Sequence, residues 1–112
     1  MTKIRRAQIG KAHGIDITVK SAKGPAKFFA PTWEMVSNFK NGAMSWETYT
    51  ELYEARLSRA PASAWAWLGG FGSEVTVLCY CRDGWKCHTY LLAAYAAKHF
   101  PNLFEDGTGG YR

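Results

Sequence analysis

No stretch of the chain approaches the roughly 18 consecutive apolar residues that a membrane-spanning helix needs. The opening residues, MTKIRRAQIGKAHG, carry positive charge but no apolar segment follows them, which speaks against a secretory leader. Only three cysteines are present, all within Cys79–Cys87. An odd, clustered set does not make a disulfide scaffold and suits a reducing, cytoplasmic setting. There is no Walker phosphate loop and no GxGxxG; the glycines of Gly69–Gly72 precede an expected strand rather than follow one, as a turn would. Internal repeats and low-complexity segments are also missing. The sequence supports no Ser/His/Asp set, and Glu47, Glu51 and Glu54 read as the wet side of a helix rather than as paired catalytic carboxylates.

What is present is enough for one folded domain over residues 1–112. Hydrophobic residues make up 47% and aromatics 15%, and a chain of this size buries roughly 65% of its unfolded surface. Folding therefore requires no metal or disulfide, and no cofactor is expected. The net charge of +5 is uneven. Residues 1–42 carry eight Lys/Arg against Asp16 and Glu34, whereas residues 43–112 carry six against seven Asp/Glu. The basic part, including Lys20, Lys23 and Lys27, can meet nucleic acid or an acidic protein partner, or can simply be a solvated face. No membrane partner is expected.

Residue patterns give a coarse order of elements. Residues 1–12 form a basic arm or an edge strand. Ile15, Ile17 and Val19 alternate with polar residues, predicting a strand over His13–Lys20, and Ser21–Pro25 reads as a loop. Thr32 and Ser45 are good N-caps for helices reaching about Lys40 and Ser58. Pro61 opens a short helix, Ala62–Leu68, that Gly69-Gly70 ends. Val75–Tyr80 is apolar on both faces, predicting a central strand covered on both sides. A helix then runs from Cys87 or His88 to His99, and Gly107–Arg112 is a Gly-rich, flexible tail. The expected fold is α/β: a small, mostly parallel sheet with helices packed on it.

The residues with chemistry to offer gather at one strand–helix junction. Cys79 and Cys81 lie at a strand's carboxyl end, where ligands bind in open α/β sheets. Cys87 and His88 lie at the start of the next helix, where free backbone N–H groups attract anions and favour a thiolate. Cys87 is thus the leading nucleophile or redox thiol, His88 its proton partner, and Cys79 or Cys81 a supporting or resolving thiol. Arg82 and Lys86 add positive charge, and Trp85 covers either a pocket or a neighbouring core, or stacks on a base. Each of these residues also has an ordinary reading: buried cysteine is common in cores, and a histidine often just bonds backbone. A zinc reading is weak. C-x-C-x5-C-H is not a usual zinc spacing, and adjacent Cys87 and His88 should diverge on a helix. No metal is expected.

The segments APTWEMVSNFKNGAMSWETYTELYEARL and VTVLCYCRDGWKCHTYLLAAY resemble domain of unknown function 488. The matching features are Ala30-Pro31-Thr32, Trp46, Tyr49, Tyr53, Leu78-Cys79 and Cys87-His88. The resemblance implies a compact α/β fold with a site at Cys79 and Cys87-His88, and a short member of the type that bacteria and phages encode. It assigns no activity; the strand–Cys–loop–helix layout is only analogous to rhodanese-like thiol proteins. A phage-type interaction module remains an alternative. One departure stands out: Thr89 occupies a position where the family usually has Arg. An anion there would need a substitute, Arg82 or Lys86.

Overall fold

The computed structural model describes residues 1–111. Four parallel strands, β1 (Thr2–Gln8), β2 (Ile15–Asp16), β3 (Glu74–Cys79) and β4 (Phe104–Asp106), form one sheet in the order β2-β3-β1-β4. Four α-helices lie between them: α1 (Trp33–Lys40), α2 (Trp46–Ser58), α3 (Ala62–Gly69) and α4 (His88–His99). A 3-10 helix spans Gly24–Phe29. The mixed α/β class and the parallel sheet are as the residue pattern predicts. No helix among the described residues is long and apolar enough to cross a membrane.

The first strand departs from expectation. The N-terminal segment is neither an arm nor an edge but an interior strand, with β3 on one side and β4 on the other. Its alternation explains why. Thr2 and Ile4 are buried, and the Arg6 side chain, next on that face, is only 2% exposed. The intervening Lys3 and Arg5 face outward and pair with Glu105 and Glu74. The positive charge that marks this segment as basic is therefore divided between two faces, one wet and one inside.

β3 differs in a related way. Val75, Val77 and Cys79 enter the core, but the other face carries exposed Glu74, half-buried Thr76 and Tyr80, which is 53% exposed. Leu78 alone on that face is buried, and it packs beside Gly14. The sheet thus has one helix-covered face and one wetter face. β2 is shorter than the alternation of His13–Lys20 predicts, because Asp16 turns the chain: its carboxylate accepts hydrogen bonds from the Thr18 amide (2.8 Å), the Thr18 hydroxyl (2.7 Å) and Ser21. Gly14 lets this segment lie against β3, since a Cβ there would strike the Thr76 carbonyl.

The helices follow their caps. Thr32 Oγ1 accepts from the Met35 amide (3.1 Å), and Ser45 Oγ accepts from the Thr48 amide (3.1 Å). α2 lays Trp46, Tyr49, Tyr53 and Leu57 toward the core. Trp65 of α3 sits among Phe29, Tyr95, Phe100 and Phe104. β4 is too short to have shown a pattern. The tail after it, as far as Tyr111, lies back on the domain: Gly107 donates to the Ile4 carbonyl (2.8 Å), and Tyr111 Oη accepts from Trp46 Nε1 (2.9 Å). Arg112, the last residue of the expected flexible tail, lies outside the described residues.

Candidate functional site: three sulfurs and a buried guanidinium

The site is built at the carboxyl ends of β1 and β3, where Gln8 and Cys79 stand in register. Cys79 is the last residue of β3, and Cys87 is the N-cap of α4. The loop 80–86 returns the chain so that their sulfurs lie 3.0 Å apart. Cys81 leaves the strand half-buried beside them. All three sulfurs lie within 4.8 Å of one another, and all three cysteines are free thiols.

His88 joins the group from the other side. Its Nε2 lies 2.9 Å from the Ile17 carbonyl, so Nε2 carries the hydrogen and donates it. Nδ1 then faces Cys87 Sγ at 3.5 Å with its lone pair free. The expected divergence of these neighbours does not occur, because Cys87 is not helical: at φ −152°, ψ 151° its backbone is extended. Tyr53 stands edge-on to the imidazole at 5.6 Å, with its hydroxyl donating to the Phe29 carbonyl at 2.6 Å.

A residue absent from the expected thiol site, Arg6, holds it together. Nη2 donates to Cys79 Sγ (2.8 Å) and to the Cys81 carbonyl (2.7 Å), and Nε donates to Thr89 Oγ1 (3.2 Å). Nη1 pairs with exposed Asp83, and the guanidinium lies over the Tyr90 ring, 5.1 Å from its centroid. The cation next to Thr89 is therefore Arg6, reaching across from β1, rather than Arg82 or Lys86. Those two residues are exposed. Arg82 rests over Trp85, which is itself 65% exposed, at 6.0 Å.

Electrostatics divide the groups. Cys87 is held well below the ordinary thiol range, first by hydrogen bonding with Cys79 and Cys81, then by the hydroxyl and amide of Thr89, which outweigh burial. Cys81 is pushed up, first by its hydrogen bonding with Cys79 and Cys87, then by burial and by the neighbouring sulfurs' charge. Burial works against the Arg6 charge, but Cys79, Asp83 and Cys87 more than compensate and keep it protonated. Burial lowers His88, favouring the neutral ring, although Cys79, the Ile17 carbonyl and Asp16 act the other way.

An open pocket of about 990 Å³ reaches the sulfurs. Cys79, Cys81, Cys87 and His88 contribute to its floor, although Cys79 is 1% and Cys87 4% exposed. Phe39, Trp46 and Tyr49 form an aromatic wall with ring centroids 5.2–5.3 Å apart. Arg82, Trp85 and Lys86 line the pocket as well, joined by Lys40. Lys20, Lys23 and Lys27 are exposed but do not line it. Among the described residues, Cys79, Cys81 and Cys87 are the set close enough to share a metal ion. The Arg6 guanidinium already supplies positive charge at the same sulfurs.

The buried imidazole gives the fold a pH dependence. In the native state His88 binds its proton less readily than an unfolded histidine, whose ordinary value is 6.5. Below that value the unfolded chain takes up a proton that the native chain resists, so stability falls as pH falls toward the native value. The slope approaches about 1.4 kcal/mol per pH unit for one full proton. Urea midpoints at pH 7.0 and 5.5 should drop more in the parent protein than in His88→Gln. Equal drops would show that His88 titrates normally.

The family model DUF488-N3a, described as the active DUF488-N3 subclade, matches residues 11–99. Neither the curated proteins nor the solved structures gave a match. The matched span runs from before β2 to the end of α4 and takes in Cys79, Cys87 and His88. The chain therefore belongs to the DUF488 family.

Proposed function

We propose that this domain is a thiol-dependent enzyme in which Cys87 is the nucleophile toward a small electrophilic, anionic substrate. The observation that carries this reading is the convergence of Cys87 Sγ with Cys79 Sγ at 3.0 Å and His88 Nδ1 at 3.5 Å on the floor of an open pocket. Cys87 supplies the thiolate, favoured by its place at the start of α4. His88, fixed by the Ile17 carbonyl, accepts the Cys87 proton at Nδ1 when the thiol is protonated. Arg6 touches the sulfurs rather than the substrate space, and so positions Cys79 and steadies negative charge. Arg82, Lys86 and Lys40 draw an anion to the pocket. A family description containing the word "active" is in keeping with a working centre.

Alkylation by iodoacetamide across pH tests the reading. The parent should show a fast phase whose midpoint lies well below the roughly 8.5 of a free thiol. Cys87→Ser should abolish that phase, and Cys81→Ser should leave it in place. A single ordinary midpoint, or a fast phase that survives Cys87→Ser, defeats the assignment.

A further inference from the structure

The site contains a second thiol that nucleophilic attack by Cys87 alone does not use. Cys79 is 1% exposed, yet its sulfur lies 3.0 Å from Cys87 Sγ and 2.8 Å from the cationic Arg6 Nη2. It is the most enclosed of the three cysteines, at 1% against 4% for Cys87, with Cys81 half-buried. A thiol so placed is badly suited to initiate a reaction and well suited to finish one.

We propose that Cys79 and Cys87 form a dithiol–disulfide couple, and that the site's substrate class is a small disulfide. The proposal rests on Cys87 being the nucleophile. In the first step the Cys87 thiolate attacks one sulfur of a disulfide R–S–S–R′. A Cys87–S–S–R bond forms, the S–S bond of the substrate breaks, and R′–S⁻ leaves. In the second step Cys79 gives up its proton to a departing thiolate and attacks Cys87 Sγ. The Cys79–Cys87 disulfide forms and R–S⁻ is released. The substrate gains two electrons and leaves as one thiol and one thiolate, while the cysteine pair loses two electrons and one proton. Excess dithiol reverses the sequence.

Three observations choose Cys79 over Cys81 as the resolving thiol. Cys79 Sγ lies 3.0 Å from Cys87 Sγ, so closing to a bond needs only about 1 Å of approach, given an S–S length near 2.0 Å. It is held at the end of β3, whereas Cys81 lies in the loop beyond it. Arg6 Nη2 donates to Cys79 Sγ at 2.8 Å and so holds that sulfur in place against Cys87. The same contact is lost when the sulfurs are joined without charge, so Arg6 stabilises the reduced form and makes the couple more oxidising.

Oxidised glutathione, with thiol counting and peptide mapping of the full chain, tests this. The parent should fall from three free thiols to one, and the bond should map to Cys79–Cys87 with Cys81 free. Cys79→Ser and Cys79→Ala should both stop at a mixed disulfide between Cys87 and glutathione. Cys81→Ser should still form the internal bond. Equilibration in glutathione redox buffers should place Arg6→Lys at a more reducing potential than the parent, as a merely structural thiol pair would not. A parent that stops at the mixed disulfide, or a bond that maps to Cys81–Cys87, overturns the inference while leaving Cys87 as nucleophile. If Cys87 takes up no glutathione at all, the nucleophile assignment falls with it.

Discussion

Arg6→Met is expected to cost about 3–5 kcal/mol of stability, the range found when one partner of a buried charge network is removed. That is a large share of the ~5–15 kcal/mol that holds a typical domain together. The Arg6 side chain is 2% exposed and donates to Cys79 Sγ, the Cys81 carbonyl and Thr89 Oγ1. Methionine fills similar space but leaves those acceptors without a donor, and leaves negative charge on the sulfurs without its counterion. The Asp83 contact contributes little to this sum, because its carboxylate is 79% exposed and well screened. Asp83→Asn should therefore cost less than about 1 kcal/mol. Urea denaturation of both variants separates the contributions. An Arg6→Met protein as stable as the parent would mean that the sulfurs carry no net charge and that the guanidinium merely offsets its own desolvation.

Trp65→Ala is expected to be as damaging, at about 3–5 kcal/mol, but for a different reason. Trp65 is 5% exposed and lies 4.9 Å from Phe100, 5.0 Å from Phe29, 5.9 Å from Tyr95 and 6.0 Å from Phe104, measured between ring centroids. Removing it opens a cavity among rigid aromatic rings that cannot collapse far. It is not among the residues lining the sulfur pocket. Under native conditions, the variant should keep the fast Cys87 alkylation phase while its denaturation midpoint falls. A midpoint close to the parent's would show that neighbouring rings close the gap.

The contrast between these residues shows which features a linear reading reaches. Local signals worked: Thr32 and Ser45 cap helices, and Cys79 and Cys87-His88 mark the junction, because each effect acts within a few residues of its source. The partners of those residues were harder to find. Arg6 lies 73 positions from Cys79 and 83 from Thr89, and it precedes the segment that the family model matches. One signal was available: in Thr2-Lys3-Ile4-Arg5-Arg6, alternation places Arg6 on the face of Ile4. A basic arm or an edge strand, the two readings of residues 1–12, left that inward face unassigned. The turn at Asp16 was hidden for a similar reason. Apolar alternation continues to Val19, but a carboxylate bonded to Thr18 and Ser21 ends the strand early. Phe104–Asp106 offers three residues, too few for any period to register.

The interior position of β1 also fixes an order of events during synthesis. Lys3 pairs with Glu74, and Thr2 pairs with Phe104. The first of the four strands is thus flanked by the last two, and its ladder hydrogen bonds wait for Glu74–Cys79 and Phe104–Asp106. Such non-local pairing carries a loop-closure cost before any contact repays it. Since Arg6 travels on that strand, its guanidinium meets Cys79 only after the 73 positions that separate them have been made.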